Sequence, residues 1–259
     1  MGNSEGRKIL SGPSWIGLIG TFAAIITIFI FVTGYTNLPE ILRGWLNPSG
    51  LYDDFDNSSF DGKYNPNLWT EEGSELGDFT QLDGMMLLQG KSVDKDGNFA
   101  LHVAAPATYS TDSFRFMEAR MKLDSLEAGK GSFLKIQAVT FVKDALWWIE
   151  CKLSNSQVTY PELACNIEDG QFQSDGSPIY SYETTSIPLA YDKWYKIRFS
   201  FEPDTGKVRF YLDNRPIGET AFRNLQMLKD QKAAFGLQVG AWVGIGDRFS
   251  GFVDDVKIK

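Results

Sequence analysis

The chain reads as all-β: a two-sheet antiparallel jelly-roll sandwich behind one N-terminal transmembrane α-helix. Three observations predict this. Past Leu51, short runs of alternating apolar and polar residues recur between the turn dipeptides Asp61-Gly62, Asp83-Gly84, Asp96-Gly97, Asp169-Gly170, Asp175-Gly176 and Thr205-Gly206. No long helical pattern and no internal repeat interrupts them, which disfavours a parallel α/β arrangement. Before Leu51 lies one uninterrupted apolar stretch.

That stretch, Trp15 to Tyr35, carries no charge and no Pro, and at about 1.5 Å per residue it reaches about 30 Å, a bilayer's hydrocarbon thickness. Ile16, Ile19, Phe22, Ile25, Ile28 and Phe31 point in every direction, so lipid all round is the expected solvent. A cleavable signal peptide would be shorter and end in small residues. Trp15 and Tyr35 suit the headgroup layers, and Arg7 with Lys8 ahead of the span against Arg43 behind it favour a cytoplasmic tail at 1–14. The expectation is a single-pass cell-membrane protein with an extracytoplasmic C-terminal domain. Gly6, standing where Ser or Thr is wanted, excludes N-myristoylation.

Residues 36–50 follow as a juxtamembrane amphipathic helix and linker. Leu38, Ile41, Leu42, Trp45 and Leu46 share one helical face, Asn37 and Glu40 form a capping-box pattern, and Pro48 and Gly50 end it. Such a helix lies along the bilayer, or packs under the domain or against a partner's membrane helix.

Residues 51–259 hold the strands. In Trp194 to Glu202, Tyr195, Ile197, Phe199 and Phe201 alternate with Lys196, Arg198, Ser200 and Glu202, so one face is buried and the other polar. Lys207 to Asp213 returns with the same rhythm, and a tight turn at Asn214-Arg215-Pro216 follows. Further strands are read at 85–89, 99–104, 114–124, 132–142, 146–153, 158–165, 234–242 and 252–258, with a helical turn near 222–229.

With 259 residues, about 210 remain after the anchor and its tether, enough for one large β domain. Aromatic content of 14% is too high for disorder. A net charge of -8 without basic clusters excludes nucleic acid as a partner. Cys151 and Cys165 fall on neighbouring strands with no His nearby, which leaves a disulfide or two small buried side chains.

Several stretches resemble one superfamily, the concanavalin A-like lectins and glucanases, which includes laminin G-like modules and family 16 glycoside hydrolases. FMEARMKL (116–123) is similar to the edge-of-cleft strand of the family 16 enzymes. WYKIRFSFEPDTGKVRFYLDNRPIGE (194–219) resembles the hairpin these modules share, and FVDDVKI (252–258) resembles their last strand. The resemblance implies two curved sheets whose concave face carries the ligand. It also implies, for some members, a structural calcium where first and last strands meet, here drawn from Asp53, Asp54 or Asp56 with Asp254 or Asp255, oxygen ligands that suit the ion.

Retaining glycosidases need two carboxyl groups about 5 Å apart. The family writes them into a Glu-x-Asp-x-Glu type motif, and the matching region here offers only Asp144 and Glu150. The reading is therefore a noncatalytic module for carbohydrate or another surface ligand. Flat aromatic faces and planar polar groups are what sugars require. Strand parity sets Trp148, Glu150 and Lys152 opposite Trp147, Ile149, Cys151 and Leu153, and places Trp242 with Gln238. Glu118, Arg120 and Lys122 are the further candidates for a polar concave face, whereas Trp69 and Trp194 read as structural and His102 as a lone surface histidine. Two alternatives stand beside this reading: an accessory subunit docked on a larger membrane complex, and a divergent glycosidase using Glu118 or Glu150.

Overall fold

The computed structural model describes residues 50–104, 109–124, 131–142, 145–154, 160–170 and 181–259. The expected membrane span, the juxtamembrane helix up to 49, Asp144 and the Asp175-Gly176 turn lie outside these residues. Among the described residues no helix is long and apolar enough to cross a membrane.

The strands begin with β1 (Leu51–Asp53), β2 (Trp69–Glu72), β3 (Gly77–Leu82), β4 (Met85–Lys91), β5 (Gly97–Val103) and β6 (Tyr109–Ser110). There follow β7 (Phe116–Leu123), β8 (Phe133–Val142), β9 (Ala145–Ser154), β10 (Glu162–Asp169), β11 (Ser181–Glu183) and β12 (Ile187–Pro188). The chain closes with β13 (Tyr195–Glu202), β14 (Lys207–Leu212), β15 (Arg215–Ala221), helix α1 (Leu225–Asp230), β16 (Ala234–Val243) and β17 (Arg248–Ile258). Sheet A runs β15-β14-β13-β7-β17-β4-β3, with β1 also on β17. Sheet B runs β11-β10-β9-β8-β16-β5-β2, with β12 on β10 and β6 on β16. The long strands of both sheets pair antiparallel.

Alternation makes the two layers. Tyr195, Ile197, Phe199 and Phe201 of β13 point inward, as do Leu237, Val239, Ala241 and Val243 of β16, and all are buried. Phe114 sits between the sheets, its ring centroid 5.5 Å from Phe235, 6.2 Å from Phe199 and 6.3 Å from Phe201. Each such side chain removed from water contributes about 1.5–3 kcal/mol, which makes this aromatic knot the centre of the core.

Turn chemistry sets the register. Asp83 and Gly84 both hold left-handed backbone (φ 49° and 73°), the primed turn that a two-residue hairpin needs between β3 and β4. Asp213 and Asn214 do the same (φ 47° and 67°), so the turn expected at 214–216 lies one residue earlier and Arg215 already opens β15. Pro216 is tolerated there because β15 is an edge strand. The strand expected at 158–165 instead occupies 162–169, since Leu163, Cys165 and Ile167 continue the inward rhythm past the Cys.

Candidate functional site

Below the site lies a covalent tie. Cys151 on β9 and Cys165 on β10 are register partners on the inner face, joined as a disulfide with Cα atoms 4.0 Å apart. Their neighbours in sequence, Glu150 and Asn166, are therefore also partners, but on the outer face.

From there one polar row crosses the outer face of sheet B: Glu183, Asn166, Glu150, Gln137, Gln238, His102 and Thr70, each the register partner of the next on successive strands from β11 to β2. Although these side chains point away from the core, Asn166, Glu150, Gln137 and Gln238 are only 4–7% exposed. Gln137 Nε2 donates to Glu150 Oε2 at 3.1 Å, Lys135 Nζ donates to Gln137 Oε1 at 3.2 Å, and Gln238 Nε2 donates to the same Oε1. Lys135 Nζ also lies 3.7 Å from Glu150 Oε2. An ammonium only donates and a carboxylate only accepts, so both amides are fixed in direction. Gln238 Oε1 ends the relay, buried and without a partner.

Four buried atoms on this face have no hydrogen-bond partner: Asn98 Oδ1, Asn166 Oδ1, Gln238 Oε1 and Trp148 Nε1. Unpaired buried polar atoms are costly and rare, and these four, spread over four strands, leave hydrogen-bonding capacity on this face unused. Aromatic rings flank the row. Trp148 lies one step to one side of Glu150 along β9, and on the other side Trp242 stacks on Phe133, centroids 6.3 Å apart and planes at 6°. The row between Glu150 and Trp242 runs Ala164, Lys152, Lys135, Gly240 and Ala100, with the two lysines between small residues on either side. A Cβ on Gly240 would meet the Cβ of Ala100 at 2.7 Å, so only glycine fits there.

Burial shifts the ionisable groups here. It raises the Glu150 carboxyl above the usual carboxylate range and lowers Lys135, their mutual attraction opposing both shifts. Glu168, diagonal to Glu150 on β10, is raised by burial and then by the Glu150 charge.

Trp148, Glu150 and Trp242 thus share one face as expected. Glu118, Arg120 and Lys122 do not join them: their strand, β7, belongs to sheet A between β13 and β17, and the outer faces of the two sheets point apart. There Glu118 pairs with Lys257 at 3.3 Å, Arg120 with Asp254 at 3.1 Å, and Lys122 lies over the Phe252 ring at 4.2 Å. Trp194 packs edge-on to Phe252 beneath Arg120 and Lys122, and Trp69 is buried with its indole N–H on Asp53 at 2.7 Å. His102 is not alone, since its Nε2 bonds Glu72.

Among the aspartates expected to hold calcium, two already carry protein partners and one is exposed. Asp53 accepts from Trp69 and from the Phe55 amide, Asp254 is held by Arg120, and Asp56 is exposed. Among the described residues no three His, Cys, Asp or Glu side chains gather as a metal site.

Sequence reasoning missed Lys135, Gln137, Asn166, Glu168, Asn98 and Phe133. Parity alone marks each as outward, but only the strand register brings them into one row.

No protein-family model matches the sequence, and no curated protein does. Solved structures do match. The laminarinase catalytic domain from Thermotoga maritima is 12% identical with a TM-score of 0.55, the match covering 80% of this chain and 95% of that one. SCLam, a non-specific endo-β-1,3(4)-glucanase from family GH16, is 12% identical with a TM-score of 0.57, covering 80% and 88%. The endo-β-1,3-glucanase from Pyrococcus furiosus is 11% identical with a TM-score of 0.53, covering 80% and 93%. At such identities the likeness speaks for architecture, and the described residues carry the concanavalin A-like jelly-roll fold seen in family 16 glucanases.

Proposed function

We propose that the outer face of sheet B binds a carbohydrate chain without cleaving it. The observation that carries this is the row of buried amides around Glu150, two of them with an unpartnered oxygen, flanked by Trp148 and by the Phe133–Trp242 stack. Sugar hydroxyls would complete those atoms, and ring C–H faces would cover the indoles. Cleavage is disfavoured because Glu150 is occupied by Gln137 and Lys135, and the same-face positions beside it on β9 are Trp148 and Lys152. The carboxyl group of Glu168, diagonal to Glu150 and likewise raised, supports a second reading, hydrolysis through that pair. The apolar run at 15–35 supports attachment of this module to a membrane, outside the cytoplasm.

Full-length protein in mild detergent, titrated with β-1,3- and mixed-linkage β-glucans, tests both readings. Saturable binding with no new reducing ends is the expected result. New reducing ends abolished by Glu168→Gln would establish hydrolysis instead, and absence of binding would remove the carbohydrate reading. Carbonate washing tests attachment: the chain is expected to stay in the vesicle pellet, and release would remove the anchor.

A further inference from the structure

We infer that this face selects amine-bearing and neutral sugars and rejects anionic ones, an inference that rests on the carbohydrate reading of the same face. Two independent features lead there. The first is the direction of the hydrogen bonds. Because Lys135 and Glu150 fix the relay, its last group is the carbonyl oxygen of Gln238, and Asn166 and Asn98 also leave carbonyl oxygens unpartnered. Gln238 and Asn166 are both more than nine-tenths buried, so what meets them must come from a bound ligand or water. Three acceptors against the single Trp148 N–H call for a ligand rich in O–H or N–H donors, whereas carboxylates and sulfates only accept.

The second is charge. Glu72, Glu150, Glu162, Glu168 and Glu183 share this face, opposed by Lys135 and Lys152. Lys135 is already committed to Glu150 and Gln137, and Lys152 to Glu183 at 3.3 Å, so neither cation is available for a ligand anion. An arriving uronate would meet surplus negative charge, least screened at the buried Glu150 and the half-buried Glu162 and Glu168. A protonated sugar amine would meet acceptors and carboxylates together.

The test is calorimetry on the full-length protein with β-1,4-linked hexamers of glucosamine, glucose and mannuronate in mildly acidic buffer. Affinity is expected to fall in that order, with about tenfold or more between first and last. Glu168→Gln, a change at a partly exposed position, is expected to weaken the glucosamine hexamer about three- to tenfold and the glucose hexamer distinctly less. Mannuronate binding as tightly as glucose, or equal losses for both hexamers in the variant, would overturn the selectivity while leaving carbohydrate binding intact. No binding of any hexamer would remove the selectivity, and the β-glucan titration decides the carbohydrate reading separately.

Discussion

Cys151 and Cys165 stand directly opposite each other on β9 and β10, and the disulfide between them lies beneath the pair Glu150 and Asn166 on the other face of the same two strands. The bridge therefore fixes the register on which the polar row depends. Replacing both cysteines by Ala is expected to cost about 2–4 kcal/mol in denaturant unfolding, and reduction of the wild-type protein should produce a similar shift of midpoint. Equal stability of the oxidised, reduced and double-Ala proteins would contradict a structural role for the bridge.

The aromatic flanks make the polar row's second claim. Trp148→Ala and Trp242→Ala are each expected to weaken glucan binding about 5- to 30-fold, roughly 1–2 kcal/mol, with far-ultraviolet circular dichroism unchanged. Since Trp242 stacks on Phe133, Phe133→Ala should weaken binding as well, by loosening its neighbour. Unchanged affinity in all three variants would discard the platform.

Lys135 and Glu150 are buried together, and cutting only one leaves the other charge without its partner. Lys135→Met is expected to destabilise by about 3–5 kcal/mol, and adding Glu150→Gln should recover part of that loss. A double-mutant cycle with no coupling would show that the two do not act as a pair.

On the opposite sheet, burial and then the charge of Asp255 push Asp254 up to about 6, with Arg120 acting against them. A carboxyl raised above its ordinary 3.8 favours the folded state when protonated, so its contribution is full below about pH 3.8 and disappears as pH rises through about 6. Thermal melts across that window should show the wild type losing more stability than Asp254→Asn. Parallel curves would rule the carboxyl out as the source.

The sandwich was legible because alternation at β13, β14 and β16 is strict, with every inward position apolar. Which face each side chain takes was legible for the same reason, so Trp148 and Trp242 were placed outward correctly. Sheet membership was not. Glu118, Arg120 and Lys122 have the outward parity of Glu150, but parity says nothing about which layer a strand joins, and β7 is drawn into sheet A by β13 and β17. The row itself was invisible for a related reason: Gln137, Glu150, Asn166 and Gln238 lie on four strands, and cross-strand register is a long-range property that no local pattern encodes. The aspartates near Asp53 and Asp254 were read as calcium ligands through the resemblance, and the hydrogen bond from Trp69 and the ion pair with Arg120 are contacts that no local pattern encodes.

The polar row runs across the strands rather than along them. From Glu183 on β11 to Thr70 on β2 it takes six interstrand steps, about 29 Å at about 4.8 Å each. A polymer laid along it would act as a splint, clasping edge strands that backbone hydrogen bonds secure on one side only. Short oligomers would leave those edges free to fray, so ligand length should register as melting temperature, climbing with each added sugar until the splint reaches both rims and then levelling off.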